Sequence, residues 1–185
     1  MKQLAIRALA CAGLMLAAVV SPTPAVAASA AELDRDPTAA LNALYKRYPS
    51  AVTLAKDAKA ILVFPKITKA GFMIGGETGD GVMRVKGKAA GYYNTSGVSY
   101  GLQAGAQQYG YALFLMTDKA VNSINTAEGF EVGVGPSVVV MEDVLAKKTT
   151  TTTVKDDIYA FIFGQKGLMA GLGIQGSKIT KIKKP

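Results

Sequence analysis

The stretch from Ala60 to Thr117 constrains this chain more than any other, because apolar runs of strand length alternate in it with glycine-marked breaks. Residues 60–64 form a continuous apolar run ended by Pro65. Residues 71–76 follow, and residues 82–85 come after Glu77-Thr78-Gly79-Asp80-Gly81. Asp-Gly supplies the positive φ of a tight hairpin turn, so this spacing predicts a turn over 77–81 between antiparallel strands. From 98 to 106 the alternation is strict. Val98, Tyr100, Leu102, Ala104 and Ala106 share one face, while Ser99, Gly101, Gln103 and Gly105 share the other. Period 2 marks a half-buried strand. After Gln107-Gln108 the apolar phase slips to Tyr109, Tyr111, Leu113 and Leu115, as a β-bulge or a tight corner produces. The stretch is predicted to be the sheet against which the rest packs.

The flanks read as its cover. Asp36-Pro37 predicts a helix start, with Asp as N-cap and Pro at the first helical position. Ala40, Leu41, Leu44, Tyr45 and Tyr48 then fall on one helical face. Pro49-Ser50 ends this helix and opens a second, whose narrow apolar stripe is Ala51, Leu54, Ala55 and Ala58. Beyond the central stretch, Asp118 is predicted to cap a helix over 119–126. Residues 130–134 alternate, Gly135-Pro136 makes a turn, and 137–141 is an apolar run. The threonines of 149–153 favour extended structure, as an exposed loop or an edge strand. Residues 158–163 read as a strand, 164–167 as a turn and 168–174 as the returning strand. Half of the 185 residues are hydrophobic, enough for one domain with its own core. The expected architecture is a single α+β domain: a mainly antiparallel sheet, curling toward a barrel, with short helices packed on it.

The first residues read as a targeting segment. Lys2 and Arg7 form a positive start, 8–20 is apolar, and Ala25-Val26-Ala27 is a small-residue cleavage site. This is the pattern of a secretory signal peptide, and the apolar run is short for a membrane span. The expected division is a signal peptide over 1–27 and one domain over 28–185, with cleavage after Ala30 as the rival. Ala8-Leu9-Ala10-Cys11 loosely resembles a lipobox, but most of the apolar run lies after Cys11. With one Cys and no His, an internal disulfide is excluded and a nitrogen–sulfur metal site has no ligand set. No cofactor is implied.

Several blocks together carry a family resemblance. Ala60-Ile61-Leu62-Val63-Phe64-Pro65, Lys69-Ala70-Gly71-Phe72 and Gly75-Gly76 look like the opening of the SYLF lipid-binding domain. Ser99-Tyr100-Gly101-Leu102-Gln103 with Gly105-Ala106-Gln107 resembles that family's central signature. Gly135-Pro136, Ile158-Tyr159, 166–171 and Gly176-Ser177 resemble its later blocks, so the likeness runs in order over 40–179. One departure is Tyr92-Tyr93-Asn94, where the family usually has a Trp-containing segment. The resemblance implies binding of phosphoinositides and other anionic lipids and, in fungal relatives, of actin filaments. With the targeting segment it implies a secreted bacterial member, for which actin is an unsuitable partner.

Other motifs carry less. Residues 171–176 match G-x-G-x-x-G, but a dinucleotide site needs an acidic residue about 20 positions on, and no residue after Gly176 is acidic. Glu77 and Asp80 are too few carboxylates for calcium. Asn94-Thr95-Ser96 is a glycosylation sequon, relevant only in a eukaryotic secretory host. Without His, and without a thiol after cleavage, the usual general bases and nucleophiles are missing. Asp156-Asp157 reads as a solvated strand start whose side chains point to opposite faces. The chain is therefore expected not to be an enzyme.

Charge is the remaining signal. The formal net charge is +8. From 147 onward Lys147, Lys148, Lys155, Lys166, Lys178, Lys181, Lys183 and Lys184 face only Asp156 and Asp157. Lysines near an anionic membrane contribute about 1 kcal/mol each. Lys178, Lys181, Lys183 and Lys184 are the candidate lipid contacts, with Lys66 and Lys69 beside the first strand as a second basic site. Export argues against nucleic acid as the partner. The expected function is non-catalytic binding of an anionic lipid or membrane surface in the bacterial envelope, by a periplasmic or secreted protein peripheral on a membrane. The alternative is an envelope structural or protein-interaction module without lipid binding.

Overall fold

The computed structural model describes residues 30–126, 128–132, 134–141, 155–167 and 176–183. The targeting segment, the threonine run, the expected strand over 168–174 and Lys184 lie outside them. The described elements are α1 (Ala30–Arg47), α2 (Pro49–Asp57), β1 (Ala60–Val85), β2 (Lys88–Leu115), α3 (Asp118–Ile124), β3 (Phe130–Glu131), β4 (Val138–Met141), β5 (Ile158–Gly167) and β6 (Lys178–Ile182). The α+β expectation holds.

One very long antiparallel hairpin organises the sheet. β1 pairs with β2 from Ala60↔Leu115 to Val85↔Lys88. On its other side β2 is shared: its first half carries β6, from Tyr92↔Ile182 to Ser96↔Lys178, and its second half carries β5, from Gln107↔Gly167 to Leu115↔Ile158. β3 extends the β6 side and β4 extends the β5 side. The β4–β5 pair is parallel, so the sheet is mainly rather than wholly antiparallel.

The hairpin bends in the middle, and the sheet curls into a half-barrel. At the bend a Cβ on Gly71 would lie 2.2 Å from the Gly75 Cα. Further on, one on Gly79 would lie 2.6 Å from the Lys66 carbonyl oxygen, and one on Gly81 would lie 2.5 Å from that of Val63. Only glycine lets the second half of β1 come this close to its first half. Between the halves lies the inner core: Leu62, Phe64, Ile67, Tyr93, Tyr109, Tyr111 and Leu113, closed by Ala120 and Ile124 of α3 and by Ile179. The Tyr111 hydroxyl, donating to Thr95 Oγ1 at 2.8 Å, ties one half to the other. The outer face of the first half carries a second core. There Val63, Ala112, Phe114 and Phe161 pack under Leu41, Leu44 and Tyr48 of α1 and its end, and under Ala51 and Leu54 of α2. Phe114 and Phe161 meet edge to face with centroids 5.2 Å apart, a geometry that adds about 1 kcal/mol beyond area burial.

Local differences from the sequence reading have identifiable causes. The turn expected over 77–81 is strand. The hairpin turns instead at Lys86-Gly87, whose φ values of 50° and 78° are the two left-handed positions of a two-residue loop. Gly79 and Gly81 serve close approach rather than reversal. α1 runs back to Ala30 and encloses Pro37; Ala30, Ala31, Glu32 and Leu33 are strong helix formers and carry the helix across the one lost N–H. The cap of α3 is Thr117, whose Oγ1 accepts from the Ala120 N–H at 3.2 Å, and Asp118 sits in the first turn. β5 continues through the expected turn at 164–167, with Gly164 at φ 65°. The predicted phase slip is present: the β2–β5 register shifts between Gln108 and Gly110.

Candidate functional site

Strand register decides which candidate lysines can act together. Residues paired across a ladder share a face, as do residues two apart along a strand. Ile74↔Tyr100, Gly76↔Val98, Thr78↔Ser96, Ser96↔Lys178 and Glu131↔Lys178 follow one another without a register shift. Ile74, Thr78, Val98, Ser96, Lys178 and Glu131 therefore occupy a single face, and all of them are exposed. Ile74 and Val98 are diagonal neighbours on it, 62% and 66% exposed. Two large aliphatic side chains thus stand in solvent beside the bend, with Lys178 two rows away.

The other candidates separate. Lys181 pairs with Tyr93, so Lys181 and Lys183 project on the side of β6 opposite to Lys178, both exposed. In sequence the tail has no acidic neighbour; in the fold Glu131 stands opposite Lys178. Lys66 is exposed in the irregularity between Phe64 and Ile67. Lys69 is only 7% exposed and stands opposite the buried Gln107. Ile67, two residues earlier on the strand, belongs to the inner core, so Lys69 points to the inner side of the sheet. The structure thus brings Lys178 to the exposed aliphatic pair, sets Lys181 and Lys183 on the other side of the same strand, and withdraws Lys69.

A buried polar network lies inside the half-barrel, and its members were not linked in the sequence. Glu77 is buried; its Oε2 accepts from the Tyr109 hydroxyl at 2.8 Å and its Oε1 from the Ser177 hydroxyl at 2.6 Å. Burial, and then the Glu77 carboxylate beside it, push the Tyr109 hydroxyl far above the ordinary phenol range. Tyr109 therefore remains a donor to Glu77 at any physiological pH. Burial raises Tyr111 in the same way, against its hydrogen bond to Thr95. The network fixes the start of β6, and with it the tail lysines, to the hairpin. Asn94 of the sequon has its amide engaged, donating to Asp80 Oδ1 at 2.7 Å and to the Gly79 carbonyl at 3.2 Å, and Thr95 is buried. A glycan on that nitrogen would break the sheet contact.

Asp157 also has a structural post. It accepts from the Thr117 hydroxyl at 2.8 Å and from the Ser137 N–H at 3.3 Å, with the Lys119 ammonium at 3.7 Å. The Thr117 hydrogen bond leads in holding its carboxyl below the usual range. Among the described residues no three His, Cys, Asp or Glu side chains group as metal ligands, and no helix is long and apolar enough to cross a membrane.

Comparison with known proteins assigns part of the chain. Residues 96–184 match the family Ysc84, described as Las17-binding protein actin regulator. The match takes in β2 from Ser96 onward and the elements that follow it, including the buried Ser177 and the tail lysines. No curated protein matches the chain.

Proposed function

Because the chain matches the Ysc84 (SYLF) family over residues 96–184, a family of binding domains, we propose that this protein binds an anionic lipid surface without catalysis. The observation that carries the reading is the face holding Ile74, Val98 and Lys178. An apolar pair that enters the acyl boundary, beside a cation that meets the headgroups, is the pattern of an interfacial membrane contact. Lys181 and Lys183 add longer-range attraction from the end of β6, and Lys66 adds to it from β1. In this reading the targeting segment exports the chain, which acts at a membrane of the bacterial envelope. Actin regulation belongs to the family's description and is not part of the proposal.

The test is co-sedimentation with vesicles of phosphatidylcholine alone and of phosphatidylcholine with phosphatidylglycerol. Binding is expected only to the anionic vesicles and is expected to weaken with salt, since the Debye length falls to about 3 Å at 1 M. Ile74→Ser with Val98→Ser should reduce binding about tenfold or more, since each buried methylene contributes about 0.8 kcal/mol. Unchanged sedimentation of that double variant would refute the proposed face. Absence of binding to either vesicle would refute lipid binding and leave the protein-interaction module as the reading.

A further inference from the structure

The two halves of the long hairpin carry matching rows on their outer faces. In the second half, Thr78, Ser96 and Lys178 lie in register across β1, β2 and β6. In the first half, Thr68, Gln108 and Lys166 lie in register across β1, β2 and β5. Ile67 and Tyr109, their neighbours along β1 and β2, belong to the inner core, so this row points outward. All three of its residues are exposed, and Lys66 stands exposed beside it in the irregularity before Ile67. One row nearer the bend, the same face holds the paired and exposed Ala70 and Ala106. Across the bend stand the exposed Ile74 and Val98. Residues 70–76 and 97–106, which make the bend, contain no charged residue. The convex side of the bend is thus an uncharged apex with a lysine row on each flank.

From these two rows we propose that the bend enters an anionic membrane apex first, with Lys166 and Lys66 meeting headgroups on one flank and Lys178 on the other. This placement rests on the lipid-surface reading and adds to it a second flank and an orientation. The bend faces the bilayer. The two ends of the hairpin lie away from it, since Ala60, Lys86 and Gly87 border one cleft together with α1. The spacing suits an interface. At about 3.3 Å per residue, the Thr68 row lies about 7 Å from Ala70 and the Thr78 row about 13 Å from Ile74. An apex that sinks about 5–10 Å into the boundary of headgroups and acyl chains therefore brings both rows to headgroup level. The flanks differ in charge. Segments 60–76, 101–115 and 158–167, which build the first flank, contain no Asp or Glu, whereas Glu131 stands opposite Lys178 on the second. Lys166 is accordingly the stronger contact of the two, because a like-charged neighbour of the lipid offsets part of what Lys178 gains.

The test uses the absence of Trp from the chain, which lets a single introduced indole report its own depth. Ala70→Trp and Ala106→Trp mark the apex, and Ala89→Trp marks the exposed strand beside the Lys86-Gly87 turn. Each variant is mixed with vesicles of phosphatidylcholine and phosphatidylglycerol whose acyl chains are brominated. Emission from both apex variants is expected to be strongly quenched, and that from Ala89→Trp to be unchanged. In co-sedimentation at low salt, Lys166→Gln should weaken binding about fivefold and Lys178→Gln about twofold. Neither exposed substitution should move the melting temperature. Sedimentation with no quenching at the apex, or with quenching of Ala89→Trp instead, overturns the orientation and leaves the lipid-surface reading standing. Full affinity in Lys166→Gln overturns the second flank. A parent protein that sediments with neither vesicle overturns the lipid reading and this placement with it.

Discussion

Gly81→Ala sets two well-defined effects against each other. Gly81 is not among the positive-φ glycines, so alanine fits its backbone. On entropy alone the change should stabilise the protein by about 0.4–1 kcal/mol. The space is the opposing effect. The new Cβ would lie 2.5 Å from the Val63 carbonyl oxygen and 2.5 Å from Phe64 Cδ1. Neither neighbour can yield easily, since Val63 is paired in the ladder and the fully buried Phe64 ring packs at a tilt against Tyr111, with centroids 4.9 Å apart. Overpacking of this kind costs about 1–3 kcal/mol and here should reach the upper part of that range. The net loss is then about 2 kcal/mol, which lowers the melting temperature by about 4–8 °C in a chain of this size. Gly76→Ala is the control, because a Cβ there meets nothing within 4 Å; it should be neutral or stabilising. Urea unfolding followed by circular dichroism reads both, with the midpoint moving and the slope unchanged. Equal midpoints for the two variants would refute the claim that the halves of the hairpin are in contact through Gly81.

Other expectations follow from single contacts. Glu77→Gln exchanges an acceptor pair for a mixed amide facing the Tyr109 and Ser177 hydroxyls, and should lose about 1–3 kcal/mol in urea unfolding. Asp157 has a lowered folded pKa, so its contribution is present above the unfolded value of about 3.9 and is lost as pH falls through the folded value. Asp157→Asn should therefore melt below the parent at pH 7, with the gap closing near pH 2; a gap independent of pH would show that the charge is not involved. Phe161→Ala, at the centre of the core under α1 and α2, should cost about 3–5 kcal/mol. Replacing Lys181, Lys183 and Lys184 by Gln should weaken binding to anionic vesicles by at most about 1 kcal/mol per charge at low salt, without changing the melting temperature.

The periodic parts of the chain were legible, and the parts set by distant contacts were not. Alternation placed strands on both sides of Gln107-Gln108 and located the bulge between them, because burial of one face leaves its mark on every second residue. The turn was misplaced because Asp80-Gly81 has the composition of a reversal, while the fold uses that glycine to admit the carbonyl of Val63. Lys86-Gly87 carries a weaker signature, since lysine is not a residue that turn prefers. Glu77 and Ser177 are separated by 100 positions, and no local pattern joins them. Lys69 passed for a surface charge because the count of lysines carries no information on which side of the sheet each one points.

The sharing of one side of β2 between β5 and β6 bears on how the chain reaches this state. When the hairpin has closed, one edge of β2 is satisfied by β1 while the other, over most of its length, still offers bare N–H and C=O groups. The segments that cover it, 158–167 and 178–182, come last in the sequence. A chain emerging from the ribosome therefore passes through an interval with a long uncovered template on its surface, and such templates recruit other chains. A nascent protein halted before Ile158 should self-associate, and supplying a peptide of residues 155–185 in trans should suppress that association by completing the edge.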